Sequence, residues 1–347
     1  MKPSTVLSML SNVEQKNGAW VKRNGTILSL DMLTPLIEDI GNYLTICKDA
    51  TVTKIIGKGG EGILLLIVHA GKEYCLKLCL DHIAASGHSN RLIIRRGLGK
   101  NYVDDARNRY KLRFIRGCKI QSLLADRCQG IPRVYGILDE PYPVLIQEYI
   151  PGIDLWAWSK HKTNNQTLTL INELCQIVNK IHNFGVVHSD IKCSNILVTD
   201  NIPWLIDFSL AKNLSTSEII TQSGFSIISD GASPKLQERY ADRRTFLDDI
   251  YAIGVLIISA LLGYPANKIS DHIYKIPKDI AKIVEKATCD EGRRYQSVLD
   301  LSNDITEYLR RVSPVITQSS SDIDWDIINL PHRRIIKNIY DIFCGYK

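Results

Sequence analysis

The residue types best suited to chemistry lie in one run, HSDIKCSNILVTDNIPWLIDFSLA, from His188 to Ala211. Two carboxylates, Asp190 and Asp207, bracket it; Lys192 stands two residues after the first and Asn195 five residues after it. Carboxylates, an amide oxygen and an ammonium suit phosphoryl transfer, where a protein mainly positions groups and neutralises charge. A second stretch, GKGGEG from Gly57 to Gly62, has the spacing G-x-G-x-x-G, and Lys77 follows in YCLK. Alone, those glycines fit a plain hairpin turn as well as a phosphate loop. In a dinucleotide-binding unit they would open a helix. Here a strand-like segment comes next, which excludes that arrangement.

These residues need a scaffold. The chain has 347 residues, is 45% hydrophobic and carries a formal net charge of +6 at pH 7, which suits a substantial core divided into two lobes. The charge is mild and reads as a solvated basic surface. Nine cysteines with no CxxC pair indicate neither a zinc site nor a disulfide framework, and reduced thiols suit a cytoplasmic protein. MKPSTVLSML is too short an apolar run for a signal peptide. IYAIGVLIISALLG, Ile250–Gly263, falls below the roughly 20 residues that span a bilayer. It reads as a buried core helix, and no membrane span is expected.

Residues 1–50 read as a helical extension, with Leu33, Leu36, Ile37, Ile40 and Leu44 at three-to-four spacing. Such a face braces the body of the protein or docks a partner. Residues 51–150 are strand-rich, with a turn near Ala70-Gly71. Ten Lys and Arg crowd between Arg91 and Lys119 against two acids; a solvated helical face explains them, and no nucleic-acid partner is expected. After Pro151-Gly152 the chain turns helical, through residue 312. Residues 313–347 read as a polar linker and a short helix, PHRRIIKNIYDIF, with Ile335, Ile336, Ile339, Ile342 and Phe343 on one face. Docking onto the body, a partner's groove and an anionic membrane surface remain open as readings of that face. A β-rich lobe followed by a helical one makes an α+β protein.

In chain order come a glycine loop, a strand lysine, HxDxKxxN and DFx, and that order resembles the protein kinase family over roughly Thr51 to Arg311. The resemblance implies a bilobal kinase-like fold with a β-rich N-lobe and a mostly helical C-lobe. It also implies transfer of the γ-phosphoryl of ATP, with Mg²⁺, to Ser or Thr hydroxyls of a protein substrate; Lys192 is the Ser/Thr-type arrangement. By the same resemblance Asp190 orients the acceptor hydroxyl and takes its proton, while Lys192 neutralises the transferring group. Gly57, Gly59 and Gly62 admit the phosphates, Lys77 binds them, and Asn195 and Asp207 hold Mg²⁺. Ile56, Leu64, Cys75 and Leu197 sandwich the adenine, and Gln147 guards the pocket. The backbones of Glu148 and Ile150 pair with the base, and Asp154 reaches the ribose. Asp249 is expected to bond the backbone of the catalytic loop, and His188 to be structural.

Four departures stand against the family pattern. Gly117 falls where the helical glutamate that holds the lysine belongs, and no Glu occurs between Tyr74 and Asp139. Gln121, one turn on, is then expected to offer Lys77 a neutral hydrogen bond, and Gly117→Glu to tighten nucleotide binding. Ser189 replaces the Arg of HRD. Ser209 replaces the Gly of DFG, where a positive φ would strain a serine. Lys235 of ASPK replaces the Glu that answers Arg294. Every group expected to touch ATP, metal or acceptor is nevertheless present, which favours an active but atypical enzyme. Two alternatives are a pseudokinase acting as a nucleotide-binding scaffold and a small-molecule kinase of the aminoglycoside phosphotransferase type. The second normally lacks a lysine at the 192 position.

Overall fold

The computed structural model describes residues 3–16, 19–22, 27–58, 62–80, 100–215, 244–266 and 269–312. Gly59, the ASPK segment and the C-terminal helix lie outside the described residues. Contacts divide the chain into Met1–Arg310 and Arg311–Lys347.

The N-terminal segment folds as α1 (Pro3–Ser11), a hairpin of β1 (Glu14–Lys16) and β2 (Ala19–Val21), and α2 (Thr34–Gly41). The hairpin is not signalled by apolar alternation, because its first strand is exposed and polar. Next come β3 (Thr51–Lys58), β4 (Gly62–His69), β5 (Lys72–Cys79), the 26-residue α3 (Lys100–Ala125), β6 (Val134–Leu138) and β7 (Val144–Glu148). The five strands form one antiparallel sheet in the order β3-β4-β5-β7-β6. The β4–β5 hairpin closes at Ala70 and Gly71, both at positive φ (50° and 75°), the twist a two-residue hairpin demands.

Period-two alternation gives the sheet two apolar faces. Ile63, Leu65 and Ile67 of β4, Leu76 and Leu78 of β5, and Val144 and Ile146 of β7 share one cluster with Val6 and Leu10 of α1 and Leu36, Ile37 and Ile40 of α2. Each such side chain, fully buried, contributes about 1.5–3 kcal/mol, so the N-terminal segment covers a surface the sheet could not leave in water. Polar bonds fasten it to β3. Trp20 Nε1 donates to the Ile55 carbonyl (3.2 Å), and Lys58 Nζ to the carbonyls of Ser11 (2.8 Å) and Val13 (2.9 Å). On the other face Phe114, Ile115 and Cys118 of α3 pack against Leu145.

The helical lobe holds β8 (Ile153–Asp154), α4 (Leu155–Ser159), α5 (Asn164–Asn183), β9 (Val186–Val187), β10 (Ile196–Thr199), β11 (Ile202–Leu205), β12 (Lys212–Asn213), α6 (Phe246–Leu262), α7 (Lys278–Thr288) and α8 (Val298–Val312). A capping box of Thr163 and Gln166 starts α5. Gly263, at φ 72°, ends α6 with its N–H on the Ser259 carbonyl. Ile250, Ile253, Leu256, Ile257 and Ile258 are all buried, so α6 is the core helix its apolar run predicts. Leu170, Leu174, Val178 and Ile181 of α5 meet it, and Ile191, Cys193 and Phe208 from the loop segments join the same cluster. The chemistry-bearing loops are thereby seated on the largest apolar cluster among the described residues. Among the described residues no helix is long and apolar enough to cross a membrane.

Candidate active site

Asp249, the fourth residue of α6, organises the loop that carries Asp190. Its Oδ2 accepts from the His188 N–H (2.8 Å) and its Oδ1 from the Ser189 N–H (2.8 Å). His182 Nε2 lies 2.9 Å from Oδ2. The expected carboxylate–loop contact is therefore present. Ser189 is at φ 68°, a strained conformation for a non-glycine residue that the two amide bonds lock in. Burial by itself would raise the Asp249 carboxyl, but the bond and charge of His182, with the Ser189 amide, hold it below the usual carboxylate range. Asp249→Ala strands two buried amides, at about 1–3 kcal/mol each. Urea unfolding at pH 7 is expected to show that loss. Because the folded pKa is depressed, the contribution is present above the unfolded value of about 4 and fades as pH falls through the folded one. The difference between wild type and variant is therefore expected to shrink in acid.

His188 is fully buried and structural. The Asp190 N–H donates to its Nδ1 (3.3 Å), so Nε2 carries the proton and faces the Ile206 carbonyl (3.3 Å). Burial lowers its pKa, in keeping with that neutral tautomer. Its ring stands edge-on to Phe208, with centroids 4.8 Å apart. The Ile206 N–H donates to the Asn195 carbonyl (3.0 Å). These bonds tie the loop of Asp190 to the segment of Asp207, 17 residues along the chain.

Within that frame Asp190, Lys192 and Asn195 converge. Asn195 Nδ2 donates to Asp190 Oδ2 (2.7 Å) and to the Asp190 carbonyl (2.9 Å), and Lys192 Nζ lies 3.0 Å from the same Oδ2. Asp190 Oδ1 is buried and has no hydrogen-bond partner. Asn195, with its amide nitrogen committed to Asp190, has its carbonyl oxygen left for a hard cation.

The second cluster spans the lobes. Lys77 Nζ lies 2.7 Å from Asp207 Oδ1 and donates to Ser209 Oγ (3.1 Å), while Ser209 Oγ donates to the same Oδ1 (2.5 Å). Burial would raise the Asp207 carboxyl; Lys77, by charge and hydrogen bond, and then Ser209 hold it well below the usual range. Asp207 is thus an anion at any neutral pH. Its own φ is +64°. The strained residue is therefore the aspartate, a type that tolerates this region, and not Ser209, which lies in a 3₁₀ turn at Phe208–Leu210. The strain expected at Ser209 is corrected accordingly.

Two further expectations are corrected at α3. Gln121 does not reach Lys77; it donates to the Pro132 carbonyl (3.0 Å) and to Gln147 Oε1 (2.8 Å). An alanine Cβ at Gly117 would lie 2.5 Å from the Phe208 carbonyl oxygen and 2.8 Å from Ser209 Cα. Gly117→Glu therefore has no room, and the gain expected from it is withdrawn. Helix α3 is continuous from Lys100 to Ala125, so Asp105 stands about 18 Å from Gly117 along its axis at about 1.5 Å per residue.

The proposed nucleotide residues line the sheet edge and the lobe junction. Leu64 stands opposite both Gly57 and Lys77, and Cys75 opposite Gln147. Ile56 is 36% exposed. Among the described residues a Cβ on Gly57 would meet Leu64 Cδ1, at 3.8 Å, whereas one on Gly62 would collide with the Leu78 carbonyl at 2.2 Å. The fold thus demands glycine at 62, and among the described residues no steric reason for one appears at 57, which follows a register shift between β3 and β4. Burial pushes the Cys75 thiol up to about 11, making it a neutral wall. Leu197 pairs across strands with Asp154, and Asp154 Oδ1 caps α4 by accepting from the Ala157 N–H (2.7 Å). The Glu148 N–H is taken by the Arg133 carbonyl (2.8 Å) and the Ile150 carbonyl by the Gly152 N–H (2.8 Å), so the Ile150 N–H and the Glu148 carbonyl remain for a base. Arg294 is satisfied by the carbonyls of Cys289 and Leu247 and stacks on Tyr251. Among the described residues no three His, Cys, Asp or Glu side chains converge on a metal position. A cation at Asn195 and Asp207 would complete its shell with phosphate and water oxygens, as Mg²⁺ commonly does.

Residues 100–317 match the model of the protein kinase domain family; that match starts at α3 and so does not include the glycine strands or Lys77. The chain is 30% identical over 192 residues to "Serine/threonine-protein kinase D" of Synechocystis sp. (strain ATCC 27184 / PCC 6803 / Kazusa), covering 50% of this chain and 38% of that protein. It is 29% identical over 202 residues to "Serine/threonine-protein kinase PknH" of Mycobacterium tuberculosis (strain ATCC 25618 / H37Rv), covering 51% and 32%. With "Serine/threonine-protein kinase 1" of Heliothis zea nuclear polyhedrosis virus it shares 25% over 158 residues, covering 44% and 56%. The chain thus spans only about a third of the length of the first two relatives.

Proposed function

Because the chain belongs to the protein kinase family, we propose that it is an ATP- and Mg²⁺-dependent serine/threonine protein kinase, active despite its departures from the family pattern. Asp190 Oδ1 carries this reading. It is a buried carboxylate oxygen with no partner, while Oδ2 of the same carboxylate is held by Asn195 and Lys192. Such an atom calls for an explanation, and an incoming hydroxyl proton supplies one. In this reading Asp190 Oδ1 accepts that hydroxyl's hydrogen bond, orients its oxygen and takes the proton. Lys192, already 3.0 Å from Oδ2, offers its ammonium to the charge of the group in transfer. Asn195 and Asp207 would hold Mg²⁺, which when bound with ATP neutralises phosphate charge. Lys77 holds the α- and β-phosphates, and Gly57 leaves the backbone open to them.

A nucleotide-binding pseudokinase is favoured by one observation. Lys77 and Asp207 are closed on each other at 2.7 Å, and no helical glutamate competes for the lysine. Incubation with γ-labelled ATP, Mg²⁺ and a generic protein substrate separates the readings. The wild type is expected to label Ser or Thr, and Asp190→Ala to bind nucleotide normally while losing turnover. Nucleotide binding without transfer in the wild type would establish the scaffold; wild-type turnover in Asp190→Ala would remove Asp190 from the chemistry.

A further inference from the structure

Gly117 and Ser209 are separate departures in sequence, but they touch in space. We infer that they form one device: Ser209 is a positioning residue that holds Lys77 in place of the missing helical acid, and Gly117 makes the room for it. The inference rests on the nucleotide-binding reading of this site.

Lys77 is a buried ammonium, with its side chain 12% exposed, and needs an oxygen besides Asp207 if that carboxylate is to turn toward a cation. Ser209 Oγ supplies one. Its single proton goes to Asp207 Oδ1 (2.5 Å), which leaves its lone pairs to accept from Lys77 Nζ (3.1 Å). The hydroxyl thus binds ammonium and carboxylate together and fixes the spacing between them. A glycine in its place would offer neither bond.

The position of Ser209 depends on what stands at 117. A Cβ there would fall 2.8 Å from Ser209 Cα and 2.5 Å from the Phe208 carbonyl oxygen. Any side chain at 117 therefore excludes the Phe208–Ser209 backbone from its observed place, and with it the hydroxyl from Lys77. The lysine's anchor has moved from the helix to the segment that also carries Asp207. Lys77 is consequently set by the same turn that sets the Asp207 carboxylate.

The test uses the full-length protein and two readouts that need no phosphotransfer. One is the dissociation constant of a fluorescent ATP analogue; the other is the rate at which Lys77 is acetylated by an amine-reactive ester, followed by mass spectrometry. Ser209→Ala and Ser209→Gly are expected to weaken the analogue roughly tenfold, the scale of one lost hydrogen bond to a charged group. They are also expected to speed Lys77 acetylation severalfold, with Ser209→Thr restoring both. In a Lys77→Met background Ser209→Ala should cost the analogue much less affinity than in the wild type, since the pair acts as a unit. Wild-type affinity and wild-type Lys77 reactivity in Ser209→Ala would overturn the inference, as would an equal loss with or without Lys77. If the wild type binds the analogue yet transfers no phosphate, the kinase reading fails while this one stands. Were the wild type to bind no nucleotide, Lys77 reactivity would still decide the anchor.

Discussion

Asp207→Asn is expected to lower phosphotransfer at least about a hundredfold, the scale of removing one preorganised electrostatic contact at a reacting group. Asparagine keeps the shape and an oxygen for Ser209 and Lys77, but it removes the charge that Lys77 and Ser209 hold as an anion. In the proposed reaction, phosphate charge then goes uncompensated at the cation position. The affinity for ATP should also lose its dependence on Mg²⁺, so that titrations with Mg²⁺ and with a chelator converge. Some stability is lost as well, because breaking a buried ion pair costs about 3–5 kcal/mol; here the Asp207 side chain is 31% exposed, which places the loss below that range. Turnover within threefold of wild type, at equal folded fraction, would take Asp207 out of the reaction.

Gly117→Ala is expected to destabilise the protein, although alanine in a helix is ordinarily favoured over glycine by about 1 kcal/mol. The nearest atoms to the added methyl are backbone, the Phe208 carbonyl oxygen at 2.5 Å, its carbon at 2.8 Å and Ser209 Cα at 2.8 Å, and none is a flexible side-chain tip. Overpacking of this kind costs about 1–3 kcal/mol, and a melting scan should show the net loss at roughly 2–4 °C per kcal/mol. Gly117→Glu should be worse, so restoring the family's acid alone does not restore its ion pair. A melting temperature at or above wild type for Gly117→Ala would mean that α3 and the Phe208 turn separate freely in solution.

Much of the scaffold was legible because it depends on local periodicity. Alternation marked β4 and β5, the Ala70-Gly71 turn fell where expected, and the apolar run at Ile250–Gly263 is the buried α6. Spacing alone brought Asp190, Lys192 and Asn195 together, since five residues of loop cannot carry them far apart, and the structure links them through one carboxylate oxygen. The short β1–β2 hairpin is not legible in the sequence because an exposed polar strand leaves no apolar signature.

What the residues by themselves determined, then, is which groups are present for chemistry and which elements carry them, because periodicity, capping and short spacing act within a few residues of chain. Which groups touch across long separations was decided only by tertiary packing. Lys77 and Asp207 meet 130 residues apart, and Ser209 joins them. The glycine at 117 reads from sequence as a lost acid, yet the structure gives it a steric cause in the backbone of Phe208. Likewise Gln121 turns to Gln147 and Pro132 rather than to Lys77. A residue's type limits the bonds it is able to make, but the partner it finds is set by which backbones approach closely enough, and that depends on the whole packed core.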